Sequence, residues 1–285
     1  MGLAPLAYRT ADTRLLLIAH RGGIVDADHP ENSPSSVEAA IARGYWMLEV
    51  DVRRTRDGQA ILHHDADFQR YYNDPRSVAG MTWAEVESLR ATPGGTRPMT
   101  FEELCARCAG RIRLMLDIKV PDASDEFLEG LLATLGRHRL LETTWSLNGG
   151  RLPALSGGVV REAANRAALK AALGRGDAVA ARRFLFELGS VLDAETVASC
   201  RQHGVTAVAA LNVFRYASHG DDHSRAAEAD ARRLLALGVT HFQIDSAYER
   251  FFIRPTASRR GGRAHSTRPA AATRPWRARP SPRHA

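Results

Sequence analysis

Eight short apolar runs separated by segments of helical periodicity set the strongest limit on how this 285-residue chain can fold. The runs are LLLIA (15–19), WMLEVDV (46–52), AILHH (60–64), RLMLDIKV (113–120), TTWSL (143–147), RFLFEL (183–188), TAVAAL (206–211) and THFQID (240–245). Runs this brief and this continuous read as strands buried on both faces, the habit of parallel sheets. Between them, SSVEAAIARG, FEELCARCAG, DEFLEGLLATLGRH, LDAETVASCRQHG and SRAAEADARRLLALG carry apolar residues at helical spacing. Repeated βα order over about 250 residues predicts an α/β protein, a (β/α)8 TIM barrel. The irregular stretch from Ala66 to Pro98 is too long for a simple connection and reads as a small insertion after the third strand. From Gly149 to Arg182 the sequence gives no clear strand, and the path there stays open.

Composition narrows the function classes. A hydrophobic fraction of 44% is enough for one large core. The formal charge of +7 would invite a nucleic-acid partner, but nine arginines lie beyond Ile253, and without them residues 1–253 carry −2. The body is therefore mildly acidic. Residues 254–285, rich in Arg, Pro, Ala, Ser and Gly, lack the apolar side chains to offset ordering entropy and read as a disordered tail following a single domain over 1–253. Three cysteines cannot build an even disulfide framework, and Cys105 and Cys108, three apart in a helical pattern, read as buried thiols. No apolar run approaches the roughly 18 residues needed to span a bilayer, and no secretory leader is visible. The expectation is a soluble cytoplasmic protein, with no specific nucleic-acid partner and an oligomeric state left open. No GxGxxG or Walker sequence points to a nucleotide.

The chemistry sits in clusters at the ends of the early strands. His20-Arg21-Gly22 follows the first, Glu49-x-Asp51 and Asp117-x-Lys119 close later ones, and His64-Asp65 ends AILHH. Residues two apart on a strand share a face, so Glu49 projects with Asp51, and Asp117 with Lys119. In a parallel barrel all of these groups meet on the rim where barrel active sites are built. Three carboxylates in contact would raise one another's pKa values unless a cation sat among them, and hard oxygen ligands favour Mg²⁺ or Ca²⁺. One divalent cation on Glu49, Asp51 and Asp117 would polarise a phosphoryl oxygen while Arg21 and Lys119 held the others. His20 and His64 then remain to move protons, with the division into acid and base open. His63 points to the opposite side of its strand from His64 and is set aside.

These motifs, in this order, resemble those of the glycerophosphodiester phosphodiesterase family, part of the phosphatidylinositol-phospholipase C-like superfamily. The resemblance lies in AHRG (19–22), Glu31-Asn32, LEVDVRRTRDG (48–58), HHD (63–65), Arg70 with Asn73, and LDIK (116–119), and runs faintly to LALGVTHFQID, ending at Asp245. It implies a TIM barrel with an insertion after the HD motif, a divalent metal on Glu49, Asp51 and Asp117, and His20 and His64 as the acid/base pair. It also implies a small glycerophosphodiester as substrate, cleaved to an alcohol and glycerol 3-phosphate. The chain departs from the family pattern at Asp117, where Glu is usual and where Asp resembles sphingomyelinase D-like phospholipases. It departs again at AALN (209–212), which lacks an aromatic wall of the pocket. The alternatives are a lysophospholipase D or sphingomyelinase D-like activity, or a barrel that binds a phosphodiester without cleaving it.

Overall fold

The computed structural model describes residues 14–252 except positions 93 and 149. The expected tail at 254–285 and the domain boundary at 253 lie outside the described residues.

Eight parallel strands close on themselves. They are β1 (Leu16–Ala19), β2 (Met47–Arg54), β3 (Arg113–Ile118), β4 (Thr144–Ser146), β5 (Arg161–Ala164), β6 (Arg183–Leu188), β7 (Thr206–Leu211) and β8 (His241–Ile244). Each pairs in parallel with the next, and β8 pairs with β1 to complete the ring. Helices return the chain between strands, at Pro34–Arg43, Phe101–Cys108, Asp125–Arg137, Arg151–Leu155, Arg166–Gly174, Ala194–Gln202 and His223–Ala236. The first of them shows how local sequence sets the path. The Ser33 hydroxyl accepts from the Ser36 N–H, Pro34 fills the first turn where no N–H is needed, and Gly44 closes the helix at φ 81°. No helix among the described residues is long and apolar enough to cross a membrane.

The barrel expectation holds, with one strand exchanged for another. AILHH is not a barrel strand: Ala60–Leu62 runs antiparallel to β2, with Val52 opposite Leu62 and Arg54 opposite Ala60. The reason is the length of the connection. Thr55 to Gln59, turning at Gly58 with φ +89°, is far too short for the dozen or more residues that a parallel crossover needs. The ring is completed instead by Arg161–Ala164, within the stretch that gave no strand signal. Its sequence, REAA, has no apolar run because its polar side chains find partners: the Arg161 guanidinium lies 4.5 Å over the Trp145 ring, and Glu162 accepts from Arg183 at 2.6 Å.

The insertion therefore grows from a hairpin on β2. It carries its own small core of Ile61, Phe68, Val78, Met81 and Val86. His63 belongs to this structure. Its ring packs 4.7 Å from that of Phe68, its Nε2 lies 2.7 Å from the Asp67 carbonyl, and burial lowers its pKa.

Two apolar clusters define which strand residues face inward. Ile18, Met47, Met115, Trp145, Phe184 and Val208 fill the inside of the barrel. Their neighbours Leu17, Leu48, Leu114, Leu185 and Ala209 belong to the cluster under the helices. By alternation His20, Glu49, Asp51, Asp117, Lys119, Asn212 and Asp245 are the inward residues where their strands end.

Candidate active site

The inward row at the C-terminal rim brings the acidic side chains together. Glu49, Asp51 and Asp117 each offer a carboxylate oxygen, all within 4.8 Å of one another. Asp51 and Asp117 are register partners across β2 and β3, which fixes their approach. Glu49 and Asp51 are each 1% exposed, so their charges interact with little solvent screening. Burial, then the neighbouring Asp51, pushes the Glu49 carboxyl up to about 8. On Asp51 burial acts in the same direction but is outweighed by His64, the Asn32 amide and Lys119, and its pKa is lowered. Asn32 is poised for this role: its Nδ2 donates to Asp51 Oδ2 at 3.0 Å and its Oδ1 accepts from the Asp51 N–H at 3.3 Å. Lys119 Nζ lies 2.5 Å from Asp117 Oδ2 and 3.5 Å from Asp51 Oδ1. Asn148 supports Asp117 from β4's exit, its Nδ2 3.4 Å from Asp117 Oδ1.

A strained turn presents His20 and Arg21. Arg21 has φ 54° and ψ 45°, a left-handed conformation that costs on the order of 1–3 kcal/mol for a residue with a side chain. Its N–H donates to Glu49 Oε2 at 2.8 Å, so the strain holds the chain against the carboxylates. Gly22 and Gly23 allow the turn. A Cβ on Gly22 would sit 2.7 Å from Asn32 Cα, and one on Gly23 would sit 2.1 Å from the Ser36 carbonyl oxygen.

The two histidines occupy this rim by different routes. His20 follows β1, with Nε2 3.9 Å from Glu49 Oε2 and Nδ1 2.5 Å from Asp245 Oδ1. Burial alone would lower its pKa, but Asp245, through charge and hydrogen bond, and Glu49 outweigh it and raise the value. His64 comes from the hairpin's return strand, carried to the level of Asp51 by the His63 N–H to Asp51 carbonyl bond of 3.0 Å. Its Nδ1 lies 2.7 Å from Asp65 Oδ1, and its Nε2 lies 3.2 Å from Arg21 Nη2, from which it accepts. Arg53 fixes that backbone, donating to the His64 carbonyl at 3.0 and 2.7 Å and to the Lys119 carbonyl at 3.2 Å.

All seven residues expected from the sequence thus meet on one rim. Two further rim residues, named in the sequence motifs but given no role there, stand among these groups. Asp245 ends β8 on the inward row, binding His20 through Oδ1 and the Val213 N–H through Oδ2 at 2.5 Å. The signal for it was an acid at a strand's C-terminal end, the same signal that identified Asp117. Glu31, nearly buried, accepts from Arg21 Nη1 at 2.9 Å, from Arg70 and from Tyr71, tying the insertion to the rim.

A closed parallel barrel whose rim joins a carboxylate trio to two carboxylate-bound histidines defines a (β/α)8 protein with an acidic cluster at the C-terminal ends of its strands. Residues 20–143 match the model of the glycerophosphoryl diester phosphodiesterase family. A glycerophosphodiester phosphodiesterase of Bacillus subtilis is 31% identical over 144 residues, covering 45% of this chain and 48% of that protein. A glycerophosphoryl diester phosphodiesterase structure from Parabacteroides distasonis superposes with a TM-score of 0.66 at 20% identity, covering 89% of this chain and 92% of that one. A phosphodiesterase from Oleispira antarctica, solved with the product sn-glycerol 3-phosphate, gives 0.64 at 18% identity, covering 83% and 96%. The structural likenesses show the same fold. Over residues 20–143 the chain is similar to the glycerophosphodiester phosphodiesterase family. It spans about half the length of the curated relatives it matches.

Proposed function

We propose that this protein is a metal-dependent phosphodiesterase that hydrolyses glycerophosphodiesters to an alcohol and glycerol 3-phosphate. The observation that carries the proposal is the convergence of Glu49, Asp51 and Asp117 within 4.8 Å beside two histidines whose Nδ1 atoms are each tied to a carboxylate. The donor set fits a hard divalent cation, Mg²⁺ or Ca²⁺: three oxygen ligands, two of them fully buried, one with its carboxyl pKa pushed up by burial and by the neighbouring Asp51. When bound there, the cation supplies Lewis-acid polarisation of a phosphoryl oxygen.

The chain's own residues supply the rest. Asp245 and Asp65 fix the Nδ1–H tautomers, leaving Nε2 of His20 and Nε2 of His64 as the exchanging nitrogens. One takes the proton of the attacking oxygen and the other gives a proton to the departing alkoxide. Arg21 lies against His64 and Lys119 against Asp117, so both cations stand where non-bridging phosphate oxygens would be held. The likeness to the Oleispira antarctica enzyme, solved with sn-glycerol 3-phosphate, supports the choice of substrate.

The test is turnover of a panel of glycerophosphodiesters and lysophospholipids with added Mg²⁺ or Ca²⁺ and an EDTA control. Metal-dependent release of glycerol 3-phosphate that is abolished in His20→Ala, His64→Ala and Glu49→Ala is expected. Undiminished turnover in EDTA, or in any of these folded variants, refutes the proposal.

A further inference from the structure

Each carboxylate of the trio receives a hydrogen bond from a neutral N–H group. Glu49 Oε2 accepts from the Arg21 N–H at 2.8 Å, Asp51 Oδ2 from Asn32 Nδ2 at 3.0 Å, and Asp117 Oδ1 from Asn148 Nδ2 at 3.4 Å.

The two asparagines work alike. Asn32 Oδ1 accepts from the Asp51 N–H while its Nδ2 donates to the Asp51 side chain. Asn148 Oδ1 accepts from the N–H of Ile118, the residue after Asp117, while its Nδ2 donates to the Asp117 side chain. In both cases one end of a carboxamide is fixed to the strand backbone and the other end holds a carboxylate of that strand. Asparagine suits the task because its planar amide carries an acceptor beside its donors, whereas an ionised aspartate offers no donor.

Asn148 is itself held by the ring. Strand β4 pairs with β3 as far as Leu116 opposite Ser146, and the Leu147 N–H continues the ladder to the Leu116 carbonyl at 2.8 Å. The Ser146 Oγ then donates to the Asn148 carbonyl at 2.8 Å. The amide therefore reaches Asp117 from backbone that belongs to the barrel.

Asp117 is the carboxylate that most needs holding. The side chains of Glu49 and Asp51 are each 2% exposed, so their surroundings fix them, while that of Asp117 is 22% exposed. Its other oxygen faces Lys119 Nζ at 2.5 Å, at the end of a long and flexible side chain whose charge competes with any cation for the same carboxylate. A neutral amide restrains the rotation of Asp117 without cancelling its charge. Carboxylates that bind metals are characteristically supported in this way.

We propose that Asn148 is a positioning residue that holds Asp117 in the orientation completing the carboxylate trio, and that through Asp117 it sets the affinity of the rim for a divalent cation. The assignment deepens the metal-dependent reading above and rests on it.

The experiment is calorimetric titration with Mg²⁺ alone, repeated with Ca²⁺ alone, and Tm is recorded in EDTA. The proteins are wild type, Asn148→Ala, Asn148→Ser, Asp117→Asn and the double variant Asn148→Ala with Asp117→Asn. Removing a group that supports a metal-binding side chain weakens the metal by roughly 10–100-fold, and the long bond from Asn148 places the expected loss at about tenfold. Asn148→Ser keeps a hydroxyl to accept from the Ile118 N–H but falls short of Asp117, so it should lose the same affinity while its Tm in EDTA stays near wild type. It also carries the comparison alone if Asn148→Ala fails to fold. The double variant should match Asp117→Asn, because the residue through which Asn148 acts has gone. Wild-type affinity in Asn148→Ala or Asn148→Ser, or a further tenfold loss in the double variant, overturns the assignment. A wild type that binds neither cation sinks the metal reading and the assignment together. A wild type that binds the cation yet cleaves no glycerophosphodiester sinks the phosphodiesterase reading and leaves the role of Asn148 standing.

Discussion

Replacing Asp245 by Asn is the most searching single change this geometry offers. Asp245 accepts two hydrogen bonds, from His20 Nδ1 through Oδ1 at 2.5 Å and from the Val213 N–H through Oδ2 at 2.5 Å. Asn has one acceptor where two are required. If its oxygen faces Val213, its NH₂ faces His20 Nδ1 and forces the proton onto Nε2, the nitrogen that must exchange it. If its oxygen faces His20, two donors oppose each other at Val213 and the short helix loses its anchor. A wrong-tautomer histidine costs on the order of 10³–10⁴ in kcat, or roughly 4–5.5 kcal/mol of barrier. KM should move far less, because Asp245 uses its hydrogen bonds on His20 and Val213 and makes none to Arg21 or Lys119. Stability carries an independent signature. His20 is raised in the folded state, so the stability that the pair contributes is fully present below the ordinary histidine pKa of about 6.5 and fades as pH rises through the raised value. The gap in Tm between wild type and Asp245→Asn, measured in EDTA, should therefore be wider at pH 5.5 than at pH 9. Steady-state kinetics on a soluble glycerophosphodiester and thermal melts at the two pH values make the assay. A variant with wild-type kcat, or a Tm gap that is flat with pH, would falsify the orienting role of Asp245.

Three further outcomes follow from the same structure. Divalent cation at about 100 times its Kd adds roughly 2.7 kcal/mol of stability, which for a domain of this size raises Tm by about 5–10 °C; melts with and without Mg²⁺ should show the rise in wild type and lose it in Asp51→Asn. Gly23→Ala places a methyl on the Ser36 carbonyl oxygen and should cost about 3 kcal/mol or more, read as a lowered urea midpoint with unchanged slope. Removing residues 254–285 should leave kcat/KM on a soluble diester unchanged, and a large loss would place part of the working fold beyond Ile253.

What the sequence made legible, and what it hid, has a physical pattern. Buried parallel strands announce themselves when both faces are apolar, as LLLIA and TAVAAL do, and they become β1 and β7. Arg161–Ala164 hides because its inward guanidinium is stacked on Trp145 and its outward Glu162 is paired with Arg183, so burial leaves no apolar trace. AILHH misleads for the opposite reason, since an apolar run does not state its direction. Only the brevity of residues 55–59 does, and that signal lay in the loop. Glu49, Asp51, Asp117 and His64 were visible because their spacing is local. The Asp245 pairing with His20 joins positions 225 residues apart and becomes visible only when β8 closes on β1.

The hairpin origin of His64 divides the rim into parts with different dependence on barrel closure. His20, the carboxylate trio and Asp245 are inseparable from the ring, because the hydrogen bonds that place them are the ones that close it. His64 hangs from an appendage with a separate small nucleus, joined to the ring through β2, Arg53 and the Glu31 ion pairs. Partial unfolding of that appendage would leave an intact ring with its carboxylates and one histidine, a particle able to hold a cation yet unable to complete proton transfer. Amide exchange should accordingly find Ile61 and Phe68 opening at a lower free energy than Val50 and Leu116. Turnover would then fail on heating before the barrel itself melts.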